Sequence, residues 1–170
     1  MIKLDISENQ VKNIYLGIGS NLGNRVINIE KAKFKLTQEN IIILETSSFY
    51  ESLSWPNHKN PKFLNIVLKA RTVLSIKDLY KICKKIERAL GRKISYKNSP
   101  RECDIDIIDY GKMKTFKDIV LPHPRMHQRN FVLLPLFEIN KNWKHPKTKE
   151  HIKKLIFLLP KSDIRSIKKI

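Results

Sequence analysis

The sequence has 170 residues, 41% of them hydrophobic and 29% charged, which excludes an intrinsically disordered chain and suits one compact domain with its own core. Its longest apolar stretches, residues 41–44 and 155–159, are too short to cross a bilayer, and residues 1–10 lack the apolar segment of a secretory signal. We therefore predict a single domain over residues 1–170, with residues 1–12 as an extension, and a cytoplasmic location without a membrane partner.

The formal net charge of +18 attracts polyanions, either a nucleic acid or a nucleotide. The basic residues are mostly lysines and are scattered, without a block of five or six in a row. We assign most of this charge to the solvated surface and a smaller share to the collection of phosphate-bearing substrates. The two cysteines, Cys83 and Cys103, are too few for a disulfide framework and are predicted to be buried, reduced thiols.

The chain is predicted to begin with a strand and a helix. Residues 14–18 form a short apolar strand that ends in a glycine-containing turn, residues 17–23. Asn24 is a suitable helix N-cap, and apolar residues follow it at helical spacing. The predicted apolar face of this helix consists of Val26, Ile29, Ala32 and Leu36.

Two strands and the most regular helix of the sequence follow. Residues 41–50 and 63–72 are rich in β-branched and aromatic side chains and predict strands, separated by a polar, proline-bearing loop at residues 51–61. Ser75 and Asp78 resemble a capping box at the start of a helix that Gly91 ends. The apolar face of that helix consists of Leu79, Ile82, Cys83, Ile86 and Leu90.

A fourth predicted strand carries the most informative motif of the chain, Asp104 and Asp106. A strand sends residues i and i+2 to the same face, so the two carboxylates should point the same way while Cys103, Ile105 and Ile107 enter the core. Carboxylates about 7 Å apart repel each other unless a cation lies between them, and Mg²⁺ prefers such hard oxygen ligands. The alternative is a solvated acidic face on an edge strand.

Histidines and arginines follow the aspartates or precede them closely. His123 and His127 have a spacing that zinc sites use, but Pro122 and Pro124 oppose a regular helix at His123, so zinc is not predicted. We expect His123 to donate a hydrogen bond to a phosphate. The arginines that could hold phosphate in a two-pronged contact are Arg92, Arg101 and Arg129.

The order strand, helix, strand, strand, helix, strand is the split β-α-β arrangement of ferredoxin-like folds. We therefore predict an α+β fold, a ferredoxin-like antiparallel sheet with helices packed on one face and the other face free for ligands. A basic RNA-binding module of the same fold is the main alternative, since it would also explain the charge. It would not explain the paired aspartates, and the glycine-aromatic motif of such modules is absent from the sequence.

Several short segments, in this order, resemble the family of 6-hydroxymethyl-7,8-dihydropterin pyrophosphokinases. The resemblance covers residues 15–136 and is most specific in the proline-arginine unit before the two aspartates and in the Pro-His-Pro-Arg unit. The segments are IGSNLG at 18–23, SFYE at 48–51, FLN at 63–65, IE at 86–87, GR at 91–92, PR at 100–101, DIDI at 104–107, PHPR at 122–125, Arg129, FVL at 131–133 and PL at 135–136.

This resemblance implies transfer of pyrophosphate from ATP to the hydroxymethyl group of 6-hydroxymethyl-7,8-dihydropterin in folate biosynthesis, with ATP as co-substrate and release of AMP. It implies two Mg²⁺ ions held by Asp104 and Asp106, and we further expect a monomer without a nucleic-acid partner. The implied catalytic residues are Arg92, Arg101, Asp104 and Asp106. The implied ATP-binding residues are Glu87, Arg92, Arg101, His123 and Arg129. The implied substrate-binding residues are Gly19, Ser52, Leu53, Trp55, Phe63, Asn65 and Phe131.

Two loops depart from the family pattern. Residues 97–99 are Lys-Asn-Ser where the family often has Arg-Trp-Gly, and residues 52–55 are Ser-Leu-Ser-Trp where Thr-Pro-Pro is frequent. Residues 51–61 and 92–100 flank the predicted site and are candidate lids that exclude water. We therefore expect the departures to alter how the loops contact the pterin rather than the transfer chemistry.

Overall fold

The fold is built on one antiparallel sheet, seen in a computed structural model that describes residues 10–55, 57–92, 99–115 and 118–170. The strands are β1 (Lys12–Ser20), β2 (Ile42–Thr46), β3 (Tyr50–Ser52), β4 (Phe63–Thr72), β5 (Asp104–Tyr110) and β6 (Lys168–Lys169). The helices are α1 (Arg25–Gln38), α2 (Ile76–Ala89), α3 (Asn130–Ile139), α4 (Ile152–Phe157) and α5 (Lys161–Ser166), with a 3₁₀ turn at Met126–Gln128. The strand order is β5-β1-β4-β3-β6, and β2 pairs with the far end of β4.

The first face of the sheet is covered by α1 and α2, as the split β-α-β pattern predicts. Alternate residues of β1, β4 and β5 form one buried cluster with the apolar faces of these helices. Both predicted caps form, because Asn24 Oδ1 accepts from Ile27 N at 3.1 Å and Ser75 Oγ accepts from Asp78 N at 3.2 Å. Val26 is 46% exposed, since at about 100° per residue it lies to one side of the buried face of α1.

The second face is only partly free. Tyr15, Val67 and Ile108 form an apolar patch there, and the 3₁₀ turn, α3 and α4 pack on it through Met126, Leu133 and other apolar residues. The predicted α+β class and antiparallel sheet are confirmed, but helices lie on both faces. The reason is that this part of the second face is itself apolar and needs a cover. The face is open at one end, where β1 carries Gly17 and Gly19.

The predicted strand at residues 41–50 is interrupted in the structure. Ser47 Oγ accepts a hydrogen bond from Val67 N at 2.9 Å, so a side chain replaces part of the strand ladder. Ser48 N and Ser48 Oγ donate to Glu138 of α3 at 3.3 and 2.8 Å, and Tyr50 OH donates to the same carboxylate at 2.7 Å. The chain therefore bends between β2 and β3, and β3 is placed beside the open end of the second face.

Candidate active site

An open cavity occupies the free end of the second face. Its floor is β1, in which Gly19 pairs with Asn65 on β4 and with Asp104 on β5, while Gly17 pairs with Asp106. A side chain at Gly19 would place its Cβ 3.0 Å from Asn65 Oδ1 and 3.2 Å from a ring carbon of Phe63. Glycine at this position therefore leaves room for a ligand to approach the strand.

Asp104 and Asp106 point into this cavity from β5, as the period of a strand predicts. Each carboxylate is paired with arginine. Asp104 accepts from Arg92 Nη1 at 2.6 Å and from Arg101 Nη2 at 2.7 Å, and Asp106 accepts from Arg129 Nη1 at 2.9 Å. The charge that relieves the repulsion between the aspartates is thus supplied by three guanidinium groups of the chain itself.

The arginines also set the protonation of Asp104. Burial acts to raise the pKa of this carboxyl group, but the charges of Arg101 and Arg92 outweigh burial and leave the pKa below its ordinary value. Asp104 is therefore an anion at neutral pH. An ionised carboxylate is the form that a divalent cation requires as a ligand.

Glu87, predicted to contact the nucleotide, lies behind the site and is only 1% exposed. Its carboxylate accepts from Ile105 N at 2.7 Å and from Lys84 Nζ at 2.8 Å, and it pairs with Arg92 Nη1 at 2.7 Å. These contacts use both of its oxygens, so Glu87 does not face the cavity. Through Glu87, α2 contacts both Arg92 and the strand that carries the aspartates.

His123 and Arg129 approach Asp106 from the segment that precedes α3. His123 Nε2 lies 3.8 Å from Asp106 Oδ2 and 3.4 Å from Arg129 Nη1. Burial lowers the pKa of His123, and the charges of Arg129 and Arg125 add to this effect against the opposing charge of Asp106. His123 is therefore neutral at pH 7 and could donate a single ring N–H to a ligand.

Two arginines have donors that nothing in the described part of the chain uses. The Nε atoms of Arg101 and Arg129 are buried and have no hydrogen-bond partner among the described residues. A buried N–H without an acceptor costs about 1–3 kcal/mol, so an acceptor from outside the chain would stabilise such groups. Both side chains line the cavity, and the acceptor that suits guanidinium best is an oxyanion.

The wall opposite the aspartates is aromatic and carries one amide. Asn65 Nδ2 donates to Tyr50 O at 3.2 Å and to Ser52 Oγ at 3.0 Å, which fixes the amide with Oδ1 beside Gly19. Phe63, Phe131 and Trp55 line the same cavity. A fixed amide and aromatic rings in one cavity suit a flat heterocycle with polar edges.

The cavity brings together most of the residues predicted from the sequence. Arg92 and His123 are not part of its lining, but Arg92 pairs with Asp104 and His123 lies close to Asp106, both of which are. Leu53, which is half-buried, and Glu87 are also not part of the lining. Residues 97 and 98, which stand where the family often has Arg-Trp, lie outside the described residues. The predicted residues that line the cavity are Gly19, Ser52, Trp55, Phe63, Asn65, Arg101, Asp104, Asp106, Arg129 and Phe131.

Asn21 is a site-forming residue that the residue-by-residue interpretation missed. It is 3% exposed, and its Oδ1 accepts from Arg101 N at 2.8 Å while its Nδ2 donates to Pro61 O at 3.1 Å. One side chain thus ties the turn after β1 to the ends of both loops that flank the cavity. The available signal was its place inside the segment IGSNLG, which was used for the resemblance but not for a role.

The donor set of the cavity fits magnesium rather than a transition metal. Within residues 10–55, 57–92, 99–115 and 118–170 there is no group of three or more His, Cys, Asp or Glu side chains that could hold a metal ion. Asp104 and Asp106 supply two hard oxygen donors. Mg²⁺ usually takes one or two carboxylates and completes its shell with water and substrate phosphates, so the two residues fit that ion.

Comparison with known proteins assigns the chain to a family. Residues 15–141 match the profile of the 7,8-dihydro-6-hydroxymethylpterin-pyrophosphokinase (HPPK) family. The chain belongs to this family. A relative from Aquifex aeolicus, 2-amino-4-hydroxy-6-hydroxymethyldihydropteridine pyrophosphokinase, is 43% identical over 134 residues, which cover 78% of this chain and 83% of the relative. The family and its relatives indicate pyrophosphate transfer to hydroxymethyldihydropterin in folate biosynthesis, with ATP as the implied co-substrate.

Other relatives are much longer than this chain. The folic acid synthesis protein FOL1 of Dictyostelium discoideum is 42% identical over 134 residues, which are 78% of this chain but 20% of that protein. A crystal structure of Plasmodium falciparum HPPK-DHPS superposes with a TM-score of 0.71 at 14% identity, covering 95% of this chain and 48% of the other. The likeness to that structure confirms the fold, and this chain spans only part of the length of these longer proteins.

Proposed function

We propose that this chain transfers the β,γ-pyrophosphate of ATP to the hydroxymethyl oxygen of 6-hydroxymethyl-7,8-dihydropterin and releases AMP, at the cavity over β1. The observation that carries the proposal is the composition of that cavity. The cavity holds two carboxylates and the unpartnered Nε groups of Arg101 and Arg129, together with Asn65 and three aromatic rings. A triphosphate and a pterin therefore each find complementary groups in one space.

The pterin side would orient the acceptor. Asn65 is held by Tyr50 O and Ser52 Oγ, so its Oδ1 is free to accept from the edge of the heterocycle. Phe63 and Phe131 would pack on the ring faces. Orientation matters because phosphoryl-type transfer needs the attacking and leaving oxygens in line with the phosphorus.

The phosphate side would stabilise charge as the bond between the β-phosphorus and the α,β-bridging oxygen loosens. Asp104 and Asp106 would hold two Mg²⁺ ions, which neutralise phosphate charge when bound. Arriving phosphates would compete with Asp104 for Arg92 and Arg101, whose pairing distances are 2.6 and 2.7 Å, and those arginines would then donate to the transferred group. The hydroxyl proton is released as the new P–O bond forms, and the leaving oxygen departs with AMP.

The RNA-binding alternative has less support from the fold than from the charge. Modules of that type bind bases across an open sheet. Here α3 and α4 cover much of the second face through Leu133, Leu136 and Leu155, and α1 and α2 cover the first. We therefore propose that the chain has no nucleic-acid partner and that its charge of +18 is mostly surface charge.

We also propose a cytoplasmic monomer. The structure contains, in its described part, no helix that is both long and apolar enough to cross a membrane. Cys83 and Cys103 are free, and burial raises the pKa of each thiol to about 12, so neither is reactive at neutral pH. Two unreactive buried thiols are compatible with a reducing compartment. Fractionation of the cells and light scattering of the purified chain would test both points.

Chromatography of the nucleotide products tests the proposed function. The purified chain is incubated with ATP and Mg²⁺, with and without the hydroxymethyl-dihydropterin. We expect AMP to form only when the pterin is present and not when Mg²⁺ is removed with EDTA. Formation of ADP, or of AMP at the same rate without the pterin, would overturn the proposal.

A further inference from the structure

Trp55 belongs to the aromatic wall of the cavity and also contacts two arginines. The guanidinium carbon of Arg125 lies 5.0 Å from the centre of its ring, and that of Arg129 lies 5.7 Å from it. Both distances are within the range of cation–π attraction. Trp55 belongs to the loop at residues 51–61, whereas both arginines belong to the segment before α3, so this ring joins the two sides of the cavity.

Arg129 depends on such contacts for its orientation. Its side chain is 11% exposed and pairs with Asp106 at 2.9 Å, while Nε has no partner among the described residues. Phe131 lies on it as well, 5.4 Å from the guanidinium carbon to the ring centre. Besides Asp106, two aromatic rings therefore contact the guanidinium, and one of them is Trp55.

Arg125 gives the same ring a second cationic neighbour. It forms no ion pair with a carboxylate in the described part of the chain, and its charge acts on both His123 and Arg129. Two guanidinium groups near each other repel, and an electron-rich ring beside both of them offsets part of that repulsion. Without the indole ring, we expect Arg125 and Arg129 to move apart and away from the phosphate side.

We propose that Trp55 is a positioning residue for the nucleotide: by contacting Arg125 and Arg129 together, it couples the pterin-side loop to the guanidinium that receives the phosphates. The inference rests on the proposed function. It goes beyond a role in lining the pterin pocket, because it requires Trp55 to affect nucleotide binding when no pterin is present.

The test is calorimetric titration with Mg²⁺ and α,β-methylene-ATP, in the absence of pterin, of wild type, four single variants and the double variant Trp55→Leu/Arg125→Gln. Trp55→Leu should weaken nucleotide affinity by roughly three- to tenfold, whereas Trp55→Phe keeps an aromatic face and should retain most of it. Arg125→Gln should cause a smaller loss, and the double variant should lose less than the two single losses predict together. Lys59→Ala, on the same loop but outside the cavity, is the matched control and should equal wild type.

The outcomes separate the two proposals. Unchanged nucleotide affinity in Trp55→Leu, with only the KM for pterin raised, would show that Trp55 merely lines the pterin pocket and would overturn the inference alone. Strictly additive effects of Trp55→Leu and Arg125→Gln would also overturn it. Failure of wild type to bind the analogue in the presence of Mg²⁺ would overturn the proposed function itself. Because Trp55 is 39% exposed, the variants are expected to fold, and urea unfolding checks this.

Discussion

The carboxylate of Asp104 pairs with two arginine side chains in addition to its proposed role as a metal ligand. From the sequence, two nearby carboxylates are expected to repel each other, so removing one should leave the fold unchanged or slightly more stable. In the structure Asp104 is 19% exposed at its side chain and accepts from both Arg92 and Arg101. Removing its charge would leave the partly buried Arg101 guanidinium without its carboxylate and Arg92 with only its pair to Glu87. The expected sign of the effect on stability is therefore reversed.

We predict that Asp104→Asn abolishes turnover and lowers the free energy of unfolding by about 1–3 kcal/mol, since a charged partner of buried donors is lost. Asp106→Asn should also abolish turnover but destabilise less, because Asp106 has one arginine partner and is 32% exposed. Steady-state kinetics and urea unfolding at pH 7 measure both effects. Glu30→Gln, which removes an exposed pair with Lys33, is the control. An Asp104→Asn variant at least as stable as wild type would contradict the electrostatic account.

At the scale of single elements, β1 has two roles: it packs in the core on the first face of the sheet, and it forms the floor of the candidate site on the second. Its residues Ile14, Leu16 and Ile18 are buried on the first face, while Gly17 and Gly19 alternate with them on the second. The two glycines differ in what surrounds them. A Cβ at Gly17 would meet Ile108 Cδ1 at 3.4 Å, an ordinary contact, whereas one at Gly19 would lie 3.0 Å from Asn65 Oδ1.

Gly19→Ala should therefore disturb the fixed amide of Asn65 and the ring of Phe63, raising the KM for the pterin about tenfold or more with less effect on the KM for ATP. Gly17→Ala should be nearly neutral in both constants. The two KM values of each variant, measured with the other substrate saturating, test the contrast. Equal effects of the two substitutions would show that the floor of the cavity does not recognise the pterin.

Elements defined by local signals were predictable, and those defined by remote partners were not. The helix α2 follows from the Ser75 cap, its apolar spacing and Gly91, which adopts a φ of +107° in the structure. The break between β2 and β3 arises because Ser48 and Tyr50 bind Glu138, some 90 residues later in the chain. No pattern within residues 41–50 contains that information.

In the candidate site, too, features set by the local sequence were predictable, and features set by distant residues were not. The shared direction of Asp104 and Asp106 follows from the two-residue period of a strand. The contacts of the Glu87 carboxylate with Ile105 N and Arg92 could not be predicted, because its neighbours in sequence do not show them. The contacts of Trp55 with arginines of the segment before α3 are likewise a product of tertiary structure.

At the scale of the whole molecule, Glu138 connects segments from both halves of the chain. It accepts from Ser48 and Tyr50 at the β2–β3 bend and from Lys169 of β6 at 3.1 Å. Burial acts to raise the pKa of this carboxyl group, but the hydrogen bonds from Tyr50, Ser48 and Lys169 outweigh it and lower the pKa to about 2 from the ordinary 4.5. A carboxyl group with a lowered folded-state pKa stabilises the fold above its unfolded-state pKa.

We predict that Glu138→Gln lowers the free energy of unfolding at pH 7 by about 1–3 kcal/mol, because charge-assisted hydrogen bonds become neutral ones. Wild type should lose this advantage as the pH falls from about 4.5 towards about 2, so the gap between the two proteins should shrink over that range. Urea unfolding at about pH 7, 4 and 3 measures the gap. A gap that is constant with pH would contradict the assigned role of Glu138.

The measurement that tests the central claim most directly is the mass of the pterin product. Wild type and Asp106→Asn are incubated with ATP, Mg²⁺ and the hydroxymethyl-dihydropterin, and the pterin fraction is analysed by mass spectrometry. The account predicts a pterin diphosphate in wild type, in equal amount to AMP, and none in the variant. A pterin monophosphate accompanied by ADP, or the same yield of diphosphate from the variant, would contradict it.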